Sequence, residues 1–252
     1  MNIRTGNVMK RTTRLTCINT MTNQYFTCAP LADLLADTVL KYLPTPTTVL
    51  EPCAGTGSLL VALQKKLPTH ALSVSAFEID AKLADDYGWQ HKDFLAATPS
   101  PVDVVICNPP FRGERADGGN ANRGKDFSYL FLIHAARFSS LLVFIMHANK
   151  GNSAFQEKVR DNLPGFGLVE RIVVDKNRSR FVFGGVLKSV PSCVFVYRKG
   201  SPWNYPIFQV IGHSTVDFDI VDLDDAQTNL LVKRWVVLVA LVVLWRPIST
   251  QK

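Results

Sequence analysis

The chain has 252 residues, 47% of them hydrophobic, enough for one large α/β domain with a full core and at most an appendage beside it. Its 28 Lys and Arg against 21 Asp and Glu leave a formal charge of +7, a balance that suits a polyanionic partner. Five cysteines (Cys17, Cys28, Cys53, Cys107 and Cys193) without a C-x-x-C pair, and five histidines without an i, i+4 pair, argue against a disulfide framework or a metal site. They fit a reducing compartment, cytoplasmic, nucleoid or nuclear.

Residues 1–23 read as a basic, flexible arm: Arg4, Lys10, Arg11 and Arg14 occur with no acid and no apolar core of the kind a secretory signal needs. An organellar presequence, an arm that touches phosphate and a disordered terminus all remain open readings. Leucines and valines at Leu31, Leu34, Leu35, Val39, Leu40 and Leu43 predict a helix over Leu31–Leu43, stopped by Pro44-Thr45-Pro46. From residue 47 onward, β-rich runs alternate with helical patterns, the mark of a mostly parallel, doubly wound sheet with crossover helices.

Strands are expected at Thr48–Glu51, Val74–Glu78, Val102–Cys107, Leu141–Met146, Val169–Val174 and Cys193–Tyr197, with helices at Gly57–Leu67 and Asp126–Phe138. Arg112 to Lys125 has no periodicity and reads as a loop. Asp175 to Gly185 interleaves basic and aromatic residues, as a nucleic-acid contact would, although a solvated hairpin loop accounts for it nearly as well. Residues 24–200 form the expected catalytic domain and 201–252 an appendage with no readable role. Within it, the uncharged run Trp235–Trp245 is short of the roughly 20 residues a bilayer-crossing helix needs, so a buried segment is favoured over a membrane anchor.

In an open parallel sheet the turn after the first strand is the usual ligand contact, and here it reads Glu51-Pro52-Cys53-Ala54-Gly55-Thr56-Gly57. Gly55 and Gly57 let backbone approach a ligand closely. Leu60 stands where a dinucleotide fingerprint wants a small residue, and no Gly-Lys-Ser/Thr follows. An acid at the strand end repels phosphate but suits a positive α-amino group, which points to S-adenosylmethionine, with Glu51, Cys53, Gly55 and Gly57 as candidate cofactor residues. Glu78, at the end of the next strand, can accept from both hydroxyls of a ribose. Asp93 can accept from an adenine amine, with Phe94 against the ring.

Asn108-Pro109-Pro110-Phe111 closes the apolar run Val102 to Cys107. The prolines stiffen the turn, so that the Asn108 side-chain oxygen and the Pro109 carbonyl can converge on one planar NH2 group. Phe111 offers a face for a base flipped out of its stack, with Tyr25 or Phe26 as further walls. The expected catalytic residues are Asn108, Pro109, Pro110 and Phe111.

With these residues in hand, the chain resembles the adenine-specific DNA methyltransferases of the class I S-adenosylmethionine-dependent fold, from about Gln24 to Lys199. Gln24-Tyr25-Phe26-Thr27 looks like the family's tenth motif, placed before the first as in gamma-ordered members. Glu51–Gly57 looks like motif one, Phe77–Asp80 like motif two, Asp93-Phe94 like motif three and Asn108–Phe111 like motif four. The resemblance implies a seven-stranded sheet with its last strand antiparallel. It also implies that Thr27, with Glu51, Gly55, Gly57, Glu78 and Asp93, holds the cofactor while Asn108, Pro109 and Phe111 act on the base.

The chain departs from the family in having Cys28 where Pro usually follows Thr27. About 50 residues follow Gly200, fewer than a gamma-ordered member's target-recognition domain. The expected partner is therefore a nucleic acid, DNA before RNA, with a separate subunit supplying specificity in one reading. The competing readings are methylation of a ribosomal RNA amino group or of a protein glutamine on the same fold, an inactive nucleic-acid-binding subunit, and a membrane-tethered enzyme.

Overall fold

The computed structural model describes residues 24–67, 72–110 and 126–204. The N-terminal arm, Phe111, the loop over Arg112 to Lys125 and the apolar run 235–245 lie outside the described residues.

Three apolar segments make the centre: β2 (Thr48–Glu51), β5 (Val104–Cys107) and β6 (Leu141–His147), which are buried almost throughout. Their interiors, Val49-Leu50, Val104–Cys107 and Leu141–Met146, are apolar on both faces rather than at alternate positions, as a parallel strand covered on both sides requires. β3 (Ser73–Glu78) and the two-residue β4 (Gln90–His91) continue the sheet on one side. On the other side β10 (Ser192–Lys199) inserts antiparallel between β6 and β7 (Phe166–Val173). The order is β4-β3-β2-β5-β6-β10-β7, a seven-stranded and mostly parallel sheet with the last strand antiparallel, as expected.

Side-chain alternation divides the core in two. Val49, Val104, Ile106, Val143 and Ile145 pack under α1 (Ala29–Tyr42) and α2 (Ser58–Lys66), with α3 (Ala81–Tyr87) on the same face. Leu50, Val105, Cys107, Leu142, Phe144 and Phe195 pack against α4 (Phe127–Ala135) and α5 (Ser153–Asn162) on the other. No helix among the described residues is long and apolar enough to cross a membrane.

The predicted strands correspond to strands of the sheet, α1 starts two residues earlier than expected, at Ala29, and α2 and α4 are shorter than expected. Asp126 caps α4 by accepting the Tyr129 N–H. α2 opens at Ser58 because Gly57 is left-handed, with φ +75°. α3 and α5 are not evident in the apolar pattern; each is launched by a side chain, Asp80 accepting from Leu83 N–H and Asn152 from Phe155 N–H.

The basic and aromatic segment after β7 is not simply a loop. It enters β8 (Arg180–Phe183), turns through Gly184 and Gly185 at φ +56° and +78°, and returns as β9 (Val186–Ser189). Two left-handed residues in sequence make the primed turn whose twist matches paired strands. β1 (Phe26–Thr27) pairs with β8, so a small second sheet, β1-β8-β9, holds the segment before α1.

Between α5 and the core, Tyr197 is fully buried and its hydroxyl donates to Gln156 Oε1 at 3.1 Å, while Gln156 Nε2 donates to the Lys150 carbonyl at 2.7 Å. Tyr197→Phe strands a buried acceptor, and urea unfolding is expected to read a loss of about 1–3 kcal/mol.

Candidate functional site

Strand order reverses between β2 and β5, and ligands of such sheets bind beyond the carboxyl ends at that point. β2 ends in Glu51 and β5 in Cys107-Asn108, so the two strongest sequence signals stand side by side. Between them opens a small cleft, walled by Tyr25, Phe26 and Thr27 and by Glu51, Cys53 to Thr56, Ser58, Leu59 and Asn108.

The turn after β2 is drawn tight from within and from β3. Gly57 N–H donates to the Ala54 carbonyl at 2.7 Å, and Ala54 N–H to the Phe77 carbonyl at 2.8 Å. Trp89 Nε1 donates to the Gly55 carbonyl at 2.9 Å, and a Cβ added at Gly57 would lie 2.8 Å from the same indole ring. Glycine is thus demanded at position 57 twice, by its left-handed backbone and by Trp89.

Glu78 reaches into this turn. Its Oε2 accepts from Gly55 N–H at 2.8 Å and its Oε1 from Ile79 and Asp80 N–H at 2.9 Å each. Burial pushes its pKa up, against the pull of these three N–H donors. Glu51 is 2% exposed, and its Oε2 has no hydrogen-bond partner among the described residues. Burial, with the Glu78 carboxylate adding to it, holds Glu51 well above the usual carboxylate range, and the Leu60 N–H offsets this only in part.

Asn108 is held from the small sheet. Its side-chain NH2 donates to the Tyr25 carbonyl at 3.2 Å and to Thr27 Oγ1 at 3.0 Å. With both donors directed there, Oδ1 is left buried and without a partner among the described residues. A buried acceptor left open costs free energy unless something brings it a donor. Cys53 Sγ donates to the Asn108 main-chain carbonyl at 3.1 Å. Pro109 is buried and Pro110 exposed.

Glu51, Cys53, Gly55, Thr27 and Asn108 therefore meet at the cleft, and Gly57 and Glu78 stand directly behind its glycine turn. Asp93 is exposed and caps a single 3-10 turn, Phe94–Ala96, by accepting from Leu95 N–H. Phe94 departs from expectation: at 2% exposure its ring is enclosed by Phe131, His134 and Phe138, with centroids 5.5, 4.8 and 6.2 Å away. Its faces are taken up by the core, so it anchors the turn that carries Asp93 rather than facing a ligand.

Two roles escape a reading of the sequence. Trp89 braces the glycine turn from 34 positions away, and the Tyr25 carbonyl and Thr27 hydroxyl set the Asn108 amide from 83 and 81 positions away. No local pattern marks either. Among the described residues no group of three or more His, Cys, Asp or Glu is placed to hold a metal ion.

No family model matches the chain. Among proteins of known sequence it is similar to the modification methylase CviBIII of Paramecium bursaria Chlorella virus NC1A, at 24% identity over 52% of this chain and 38% of that protein. It is also similar to an uncharacterized protein, the MG259 homolog of Mycoplasma pneumoniae, at 32% identity over 34% of this chain and 21% of that one. The matches thus span well under half the length of both relatives.

Among solved structures, a proposed RNA methyltransferase of Pyrococcus horikoshii, PH1948, superposes with a TM-score of 0.54 at 22% identity, covering 70% of this chain and 87% of its own. The M protein of the EcoKI type I restriction enzyme superposes with a TM-score of 0.52 at 19% identity, covering 72% and 45%. At these identities the likeness is one of architecture. The fold is that of the class I S-adenosylmethionine-dependent methyltransferases.

The state of Glu51 makes the folded protein's stability depend on pH. Below the pKa of an unfolded Glu, about 4.3, both states hold the proton; above it the unfolded chain releases it while the folded chain retains it, so stability falls as pH rises toward the raised folded value. Glu51→Gln removes that loss. Thermal melts are expected to show the variant level with the parent near pH 4 and about 2–4 °C more stable near pH 8, the shift that about 1 kcal/mol gives a domain of this size.

Proposed function

We propose that the chain is an S-adenosylmethionine-dependent methyltransferase acting on the exocyclic 6-amino group of adenine in DNA. The observation that carries this reading is the Asn108 amide, whose NH2 is tied to Tyr25 and Thr27 and whose Oδ1 is left as an open, buried acceptor at the cleft.

The donor set fits the cofactor. Glu51 Oε2 has no partner among the described residues and would receive a positively charged α-amino group, which favours the ionised carboxylate. Each Glu78 oxygen keeps acceptor capacity beyond its backbone bonds and would take ribose hydroxyls. Asp93, exposed at its turn, would accept from the adenine amine of the cofactor. When bound, the cofactor supplies an electrophilic methyl group on a sulfonium whose departure leaves a neutral sulfide.

Activation of the acceptor falls to the chain itself. An aromatic amine has its lone pair delocalised into the ring, and its two hydrogens need acceptors that draw the nitrogen toward tetrahedral geometry. Asn108 Oδ1 and the Pro109 carbonyl are placed in sequence to be those acceptors, and they stabilise the positive charge that grows on the nitrogen. In-line placement between the two sites contributes the rest. Phe111, next in sequence after Pro110, is proposed to stack on the extruded base.

A nucleic-acid substrate is supported by the hairpin of the small sheet. Arg180 and Lys188 are exposed on its strands and Lys176 and Arg178 on the turn that leads into it, while Tyr25, just before β1, packs against Phe183 with a centroid distance of 4.5 Å and lines the cleft. Two of the fold neighbours are methyltransferase subunits of type I restriction systems, and a separate specificity subunit is part of the proposal here.

Labelled cofactor incubated with unmethylated DNA, ribosomal RNA and protein tests the acceptor, and 6-methyladenine in the DNA is the expected product. Asn108→Ala is expected to lower turnover about 10²- to 10³-fold while cofactor affinity by calorimetry stays within a few-fold. Transfer undiminished in that variant would remove the proposed mechanism. Replacing Lys176 and Arg178 together by Ala is expected to weaken DNA binding and to flatten the slope of log affinity against log salt by about 2, close to 0.9 for each phosphate no longer neutralised.

A further inference from the structure

The sulfurs of Cys53 and Cys107 lie 3.4 Å apart at the join between the turn after β2 and the end of β5. Cys53 is half-buried and lines the cleft, whereas Cys107 is fully buried beneath it. Cys53 is among the candidate cofactor residues, but the methyl-transfer reading gives no role to Cys107 or to the contact between the two sulfurs. Disulfides bridge about 2.05 Å, so bonding requires the sulfurs to approach by about 1.4 Å from their present contact. Cys107 ends β5 and Cys53 lies two residues past the end of β2, the strand paired with β5, so neighbouring strands about 4.8 Å apart lead into both residues and the bridge needs only a local adjustment of the turn.

We propose that Cys53 and Cys107 are an oxidisable dithiol that closes to a disulfide on exposure to hydrogen peroxide and so disarms the cleft. The loss of cofactor binding rests on the methyltransferase reading; the bond itself does not. An oxidant reaches the pair through the cleft and therefore at Cys53. The Cys53 thiol loses its proton to solvent, and the thiolate attacks a peroxide oxygen to give a sulfenic acid and one water. The Cys107 sulfur then displaces the sulfenic hydroxyl, which leaves with the Cys107 proton as a second water. Two thiols are oxidised by two electrons while one peroxide becomes two waters, and a dithiol reductant reverses the change.

The consequence follows from what Cys53 holds. Its thiol proton is donated to the Asn108 carbonyl at 3.1 Å, and a disulfide has no such proton. Drawing Cys107 and Cys53 together also shifts the residues on either side, Asn108 on one strand and the glycine turn on the other. Displacements on the order of 1 Å in such a site cost about 100-fold in rate.

The full-length chain is treated with dilute hydrogen peroxide, its remaining thiols are alkylated, and its peptides are mapped by mass spectrometry. A Cys53–Cys107 cross-link is expected, abolished by dithiothreitol, together with an at least tenfold loss of S-adenosylhomocysteine affinity that the reductant restores. The contact with Cys107 lowers the Cys53 thiol, but burial and the Glu51 and Glu78 charges outweigh it and leave it raised, so its thiolate is a minor species that grows with pH and cross-linking is expected to quicken between pH 7 and 9. Peroxide-treated chain in which Cys53 and Cys107 are both alkylated overturns the proposal, as does a cross-linked chain with undiminished affinity. A reduced chain that fails to bind S-adenosylhomocysteine overturns the functional reading and the disarming with it, whereas the bond stands or falls on the peptide map alone.

Discussion

Two hydrogen bonds, from the Asn108 amide to the Tyr25 carbonyl and to Thr27 Oγ1, are what the rest of the site depends on. A free asparagine can present either its oxygen or its nitrogen to a ligand. Here the nitrogen is occupied, so only an acceptor remains, and an acceptor is what the proposed amine substrate requires. The same bonds connect the large sheet to the small one. β1 lies where it does because β8 pairs with it, Phe26 to Val182 and Thr27 to Phe181. The chemistry at the end of β5 is in this way set by a hairpin that begins only at Arg180, far along the chain from Cys107.

A second constraint runs through the acids. Glu51 and Glu78 are both buried behind one turn, at 2% and 5% exposure, and both are pushed toward the neutral form. Their difference is in their partners. Glu78 is satisfied by three backbone N–H groups and shapes the turn, whereas Glu51 keeps an oxygen without a partner among the described residues. One carboxyl thus organises the loop while the other is held in a state that a cationic group would relieve. The energetic cost of burying Glu51 is an investment that only a ligand of the right charge returns.

The cleft is also where the sheet is most tightly braced. Trp89 closes over the glycines, Phe26 lies 3.3 Å from where a Gly55 Cβ would stand, and two cysteine sulfurs touch beneath the tetrapeptide. Each element that carries a site residue is therefore fixed by a neighbour on a different strand, and a displacement of one is passed to the others.

The sequence by itself determined the kind of fold and marked the two segments that line the candidate site. Thr48–Glu51 with its glycines, and Val104–Cys107 with Asn-Pro-Pro, are legible because apolar strands, left-handed glycines and paired prolines act over a few residues. α3 and α5 are not legible: α3 has seven residues, and α5 buries only Phe155, Gln156 and Val159, so neither writes a broad apolar stripe. Phe94 misleads because an aromatic beside an acid reads alike whether its ring meets a ligand or, as here, Phe131 and His134. Only the tertiary structure decided which way the Asn108 amide faces, that Glu51 rather than Glu78 keeps a free oxygen, and that Cys53 meets Cys107. Those outcomes are set by partners on other strands, and pairings between strands distant in sequence leave no periodicity in the chain to read.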